Sequence, residues 1–271
     1  SGYGALERRI VANRIIGEHA RVPSNAIRRG QLESGQMRAG THSAATLEPL
    51  PRHIDDTAGL GEGNRVVFGQ DITSDDLSLG MNGSILQVRI GWTGDAINLA
   101  NFDQFNANGS YPVEKFEFAD GSVMSFAQLI GSRYVEFTGT PQADVIVGTY
   151  AHDSVYAGDG NDVVYGLDGD DILFGDYTGQ AGDDILDGGA GNDLLAGSGG
   201  SDLLLGGLGD DSYQVESVGT VIMEHANEGS DSVVSAVNYA LSANVENLHL
   251  LGSAISATGN ELANDLYGNG N

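Results

Sequence analysis

Eight aspartates at a near-constant interval are the residues best placed to do chemistry: Asp144, Asp153, Asp162, Asp171, Asp184, Asp193, Asp202 and Asp211, spaced by 9, 9, 9, 13, 9, 9 and 9 residues. Two residues after each stands Ile146, Val155, Val164, Leu173, Leu186, Leu195, Leu204 or Tyr213. Carboxylates at fixed spacing suit a cation. The glycine turns that carry them lack the His and Cys of a zinc site.

A nine-residue unit has room for a short strand and a tight turn, so two units make one coil whose turns alternate between two sides. Stacked parallel strands lie about 4.7–4.9 Å apart. Asp162, Asp184 and Asp202 then share one side, and Asp153, Asp171, Asp193 and Asp211 the other. At that distance ionised carboxylates repel unless a cation lies between them. Glycine permits positive φ and lets carbonyls turn inward, giving the all-oxygen surroundings that calcium takes more readily than magnesium does. Each site needs two neighbouring turns, which couples metal binding to folding. An EF-hand is excluded, because the turns lack its twelve-residue spacing and terminal glutamate. The expected fold is all-β: a parallel β-roll, or β-helix, with flanking β-strand segments.

Composition fits this reading. The 271 residues include 41 glycines, 5 prolines and no cysteine, with 38 acidic residues against 12 basic ones and a net charge of -26. That charge argues against nucleic acid as a partner and for calcium ions. No Lys or Arg follows Arg133, so the acidic half of the chain has no side-chain cation of its own. No apolar run is long enough for a membrane span, and the first thirty residues lack the order of a secretory signal peptide. The Ser1, Gly2 start and the Gly268 to Asn271 end are expected of a piece of a longer chain.

Around the repeat, residues 1–60 form an Arg-rich segment without an assignable motif. Residues 61–139 read as a β-rich flank, with strand-like runs at 65–68, 85–90, 96–99 and 113–118. Its aromatics, Phe68, Trp92, Phe102, Phe105, Phe116 and Phe118, are expected to be core, with a sugar-binding surface as the alternative. The roll itself spans 140–215. Residues 216–271 read as a β-rich connector and, near Asn264 and Asp265, the start of a second repeat block. The four extra residues around Asp176 to Gly179 fall where Asp162 must meet Asp184, and are expected to distort the site joining them.

At these residues the sequence resembles the RTX (repeats-in-toxin) family of haemolysin-type calcium-binding nonapeptide proteins, strongly over 140–215. The flanks resemble it too, at Thr73 to Leu77, Phe118 to Gly121, Val245 to Leu248 and Thr258 to Asn260. The resemblance implies several Ca²⁺ ions, held by turn carboxylates and carbonyls. Carried onto this chain, the carboxylates are Asp162, Asp171, Asp184, Asp193, Asp202 and Asp211. Their turn residues are Gly158, Asp159, Gly160 and Asn161; Gly166, Asp168, Gly169 and Asp170; Gly182; Gly188, Gly189, Ala190, Gly191 and Asn192; Gly197 and Gly200; and Gly206 and Gly209. Asp153 is a further candidate from the same column. Its turn and that of Asp144 have no glycine between threonine and aspartate, which is the composition of a cap.

The resemblance also implies a segment of a large secreted bacterial protein, exported unfolded by type I secretion and folding on extracellular calcium. It would serve secretion and stability of a toxin or hydrolase; the alternative is a structural block of a giant adhesin or surface-layer protein. A host-cell or surface partner would act through parts outside these residues. No enzyme is expected here: the six histidines form no HExxH pair, there is no GxSxG elbow, and no Asp-Pro bond exists for self-cleavage. His152 reads as a substituted turn position.

Overall fold

Apolar residues alternate along short runs, and glycine and aspartate turns cut each run off within a few residues, so the chain builds short strands. The computed structural model describes residues 9–12, 65–70, 72–91, 94–99, 102–106, 113–176 and 181–270. Apart from the strand at 9–12, the Arg-rich segment 1–60 lies outside them, as does Trp92. The chain divides into two units, residues 1–103 with 108–133, and residues 104–107 with 134–271.

The first unit holds strands β1 (Arg9–Ala12), β2 (Arg65–Phe68), β3 (Leu77–Asn82), β4 (Ile85–Ile90), β5 (Asp95–Leu99), β6 (Lys115–Glu117) and β7 (Val123–Ser125), then helix α1 (Phe126–Ile130). Strands β3 to β5 form an antiparallel meander in which Val88 faces both Leu79 and Ile97. Strands β1, β2 and β6 pair in parallel, and β7 returns antiparallel along β6. Phe68, Phe116 and Phe118 are buried as expected of core, with the Phe68 and Phe118 rings stacked at 5.2 Å, whereas Phe102 is half-buried and Phe105, 53% exposed, is not core. Ser125 starts α1 with a capping box: its hydroxyl accepts from the Gln128 N–H, and the Gln128 side chain accepts from the Ser125 N–H.

The second unit is a parallel β-solenoid. In chain order its strands are β8 (Val135–Thr138), β9 (Val145–Val147), β10 (Asp153–Tyr156), β11 (Val163–Asp168), β12 (Ile172–Phe174), β13 (Ile185–Ala190), β14 (Leu194–Ala196), β15 (Leu203–Leu208), β16 (Ser212–Val215), β17 (Val221–Ile222), β18 (Ser232–Ser235), β19 (Tyr239–Ala240), β20 (Asn247–Leu250), β21 (Ala257–Thr258) and β22 (Asp265–Tyr267). The even-numbered strands stack in parallel as one face. Strands β9, β11, β13, β15 and β17 stack as the opposite face, and β19 pairs with β21. Beyond Val215 the even face therefore continues through β18, β20 and β22.

The residue two places after each aspartate points inward. Val155, Leu173, Leu195 and Tyr213 line one face in register, Val164, Leu186 and Leu204 the other, and all are fully buried. Each contributes about 1.5–3 kcal/mol of apolar burial, which sets the spacing of the turns at either side. Facing outward, Tyr156 and Phe174 stack at 5.4 Å, whereas Val145, Ile185 and Val221 remain exposed.

Leu186→Ala is expected to cost about 2–5 kcal/mol in the calcium-saturated chain, because a single-file core has few neighbours able to collapse into the gap. Val221→Ala, on the outer surface, is expected to stay within about 0.5 kcal/mol. Urea unfolding in saturating calcium measures both, and equal losses would contradict the inward assignment.

Candidate metal centre

The turns between strands depend on backbone that only glycine adopts without strain. Gly189 and Gly191 have φ of 103° and 143°, and Gly207 and Gly209 repeat this one layer on, at 96° and 132°. A Cβ at Gly191 would strike the carbonyl of Gly169 in the layer before. Leu167 and Ser198 take the left-handed position in their own turns at φ of 85° and 69°. The glycine opening each turn has a different task. A Cβ at Gly166 would meet Asp171 Oδ2 and the Gly188 carbonyl; one at Gly188 would meet Asp193 Oδ2 and the Gly206 carbonyl. Gly148, Gly175, Gly197 and Gly206 stand in the same way against Asp153, Asp184, Asp202 and Asp211. Each pocket for a carboxylate oxygen thus exists because no side chain fills it.

Both columns predicted by the spacing are present, and one hydrogen-bond pattern joins them. Each aspartate's Oδ1 accepts the backbone N–H of the aspartate one layer earlier. On one side the Asp162 N–H donates to Asp184 at 2.9 Å and the Asp184 N–H to Asp202 at 3.2 Å. On the other, Asp153 donates to Asp171, Asp171 to Asp193 and Asp193 to Asp211, at 2.7, 2.7 and 2.8 Å. The insertion does not break the Asp162–Asp184 rung: Val163 still faces Ile185, and Asp176, itself buried, accepts the Gly182 N–H at 3.0 Å. The strand register is thus kept on both sides of the insertion, whose residues 177–180 lie outside the described ones.

A second ladder runs the opposite way along the outer rim. Here the residue preceding each aspartate accepts from the layer that follows: Asn161 from the Asp183 N–H, Asp170 from Asn192, Asn192 from Asp210 and Asp183 from Ser201, at 3.2, 2.8, 2.8 and 2.8 Å. His152 holds this position in its turn, its Nδ1 accepting the Asp170 N–H at 2.6 Å. Asn161, Asp170 and Asn192 therefore direct their side chains to the rim ladder, while the Ala190 carbonyl accepts the Gly169 N–H. Asp168 lies at the exposed edge of its turn.

What the inner ladder leaves over is the main finding. The second oxygens of Asp162, Asp171, Asp184, Asp193 and Asp211 are buried and have no hydrogen-bond partner. Burial is the first cause of raised carboxyl pKa values here, with neighbouring carboxylates adding to it at Asp171, Asp184 and Asp211. Asp171 is pushed up to about 9, Asp184 and Asp211 to about 7, and Asp193 to about 6. At an effective dielectric of 20, repulsion between unit charges at strand spacing is about 3 kcal/mol per neighbouring pair. Asp202 differs, its second oxygen accepting from the Thr220 hydroxyl.

The first two turns are closed by threonine. Asp144 Oδ2 accepts the Thr140 N–H and hydroxyl at 2.6 and 2.8 Å, and the Asp153 carboxylate accepts both groups of Thr149. Asn260 and Asn264 repeat the arrangement at the far end, the Asn260 N–H donating to Asn264 Oδ1 at 2.8 Å. Two carboxylates were not legible in the repeat. Asp231, whose Oδ1 accepts the Asp211 N–H, follows Asp211 by 20 residues and so breaks the interval; Glu224 has no counterpart in the turns. Their late place in an acidic stretch free of cations was the available signal.

Orphaned carboxylate oxygens in glycine-lined pockets fit a hard cation of the calcium type, whose ligands are oxygens and whose charge offsets the stacked carboxylates. The fold and turns define a calcium-binding parallel β-solenoid. Residues 138–176 and 178–213 match the RTX calcium-binding nonapeptide repeat, and residues 85–128 match the haemolysin-type calcium binding protein related domain. No curated protein matches the chain. The solenoid thus carries RTX repeats, which bind several Ca²⁺ ions.

The raised pKa values set the pH response of the metal-free chain. Its folded carboxyls keep protons that the unfolded chain has released above its ordinary value of about 4. The stability they contribute is present below that value and is lost as pH rises through about 6 to 9. Dialysed metal-free protein is expected to gain β-structure by circular dichroism as pH falls from 8 toward 5. Loss of structure over that range would contradict the protonation argument.

Proposed function

We propose that Asp162, Asp171, Asp184, Asp193, Asp202 and Asp211, with the carbonyls of their glycine turns, are the ligands through which this solenoid takes up calcium. Asp153 stands at the edge of the set, since Thr149 already satisfies its carboxylate. The orphaned second oxygens of five buried aspartates carry the reading. Before calcium arrives, charged carboxylates hold the layers apart; once it is bound, each ion joins successive turns and the inward leucines can meet.

The segment acts as the calcium-folded module of an extracellular bacterial protein, exported through type I secretion as an open chain and closing outside the cell. Its role is to serve the secretion and stability of a toxin or hydrolase. Catalysis would then belong to other parts of such a protein. The rise of pKa throughout the columns supports this, because it disfavours the folded state where calcium is scarce and pH is neutral. The cation-free stretch after Arg133 supports it too.

Calcium titration of the whole chain at neutral pH, followed by circular dichroism, is expected to show a cooperative gain of β-structure with a midpoint in the weak extracellular range, about 10⁻⁴–10⁻³ M. Magnesium at equal concentration is expected to give little. A native spectrum for the solenoid in excess chelator at pH 7.5 would overturn the proposal.

A further inference from the structure

The last repeat aspartate also belongs to a cluster that the nonapeptide pattern does not describe. Asp211, Glu224 and Asp231 are all buried, and one carboxylate oxygen from each lies within 4.8 Å of the others. Glu224 is 6% exposed and Asp211 1%. Each of these two has an oxygen without a hydrogen-bond partner.

Glu224 reaches this place by register. Strand β17 continues the ladder of β15, with Leu204 opposite Ile222 and the Met223 N–H donating to the Leu204 carbonyl at 2.9 Å. Two residues beyond Ile222, Glu224 therefore takes the position that Gly188 and Gly206 hold in earlier layers. Where those layers keep a glycine, this one sends in a carboxylate. Tyr213, in the inward row otherwise held by aliphatic residues, donates its hydroxyl to Glu224 Oε1 and leaves Oε2 to the cluster. The Asp211 N–H donates to Asp231 Oδ1 at 2.9 Å, so those two are consecutive rungs of the inner ladder.

We propose that Asp211, Glu224 and Asp231 form a terminal calcium site, separate in composition from the glycine turns and lying past the matched repeats. It rests on the reading of the solenoid as calcium-binding and shares Asp211 with it. Three carboxylates give it more negative charge than a turn built mainly on carbonyls, so it takes the first ion to bind. That ion ties the connector after β16 onto the last repeat layer.

Native mass spectrometry of the full chain across a calcium titration tests this. Glu224→Gln is expected to bind one ion fewer at saturation and to lose the tightest binding step, while Tyr213→Phe, which keeps the carboxylate, keeps the full count. An unchanged count and first step in Glu224→Gln would overturn the terminal site and leave the repeat sites standing; a wild-type chain that takes up no calcium would overturn both. If Glu224→Gln does not fold, a crystal structure of the calcium-loaded wild-type chain decides. An ion bonded to Glu224 supports the site, and ions in the repeat turns with none bonded to Glu224 overturn it.

Discussion

Everything in the solenoid follows from stacking ionisable aspartates at the spacing of neighbouring β-strands. The inner ladder uses one oxygen of each carboxylate to hold the next layer's partner in register, and buries the other oxygen with nothing to bond. Hydrogen bonding alone therefore brings the layers together while leaving a charge that opposes their closure. A divalent cation between the layers would offset that charge. The row of inward leucines cannot substitute for it. Each half-layer buries only one or two apolar residues, such as Val164 alone or Val155 with Ala157, so the core is thin.

The interval of nine residues revealed the columns, their two sides and the identity of the cation, because period, turn composition and ligand chemistry are all local properties. It revealed the inward row at Val155, Leu173 and Leu186 for the same reason. Other features depend on three-dimensional facts that residue types do not encode. Asn161, Asp170 and Asn192 were expected to lend carbonyls, and their side chains join a rim ladder whose direction emerges only from how one layer sits on the next. Glu224 entered the interior because register placed it there. In the first unit, the strand at Lys115–Glu117 was visible as alternation, but its parallel pairing with Arg65–Phe68 was not.

The ends of the stack are treated differently from its middle. Thr140 and Thr149 give the first carboxylates protein hydrogen bonds in place of an open oxygen, and Asn264 removes the charge altogether at the far end. Between these hydrogen-bonded borders lie the unpartnered carboxylate oxygens of the glycine-rich layers and, past them, that of Glu224. The solenoid thus separates turns that shape the stack from turns that make it conditional on the ion.

A stack of near-identical layers has a weakness of its own: slipping by a whole coil would replace most contacts with equivalents, so periodicity cannot say which layer belongs next to which. The widened turn at Asp176 answers this. Asp162 and Asp184 pair at 22 residues, as do Asp171 and Asp193, where Asp153 and Asp171, Asp184 and Asp202, and Asp193 and Asp211 pair at 18. The irregularity works as an address, marking one position in an otherwise anonymous sequence of layers and excluding the shifted alignments that a perfect repeat would permit.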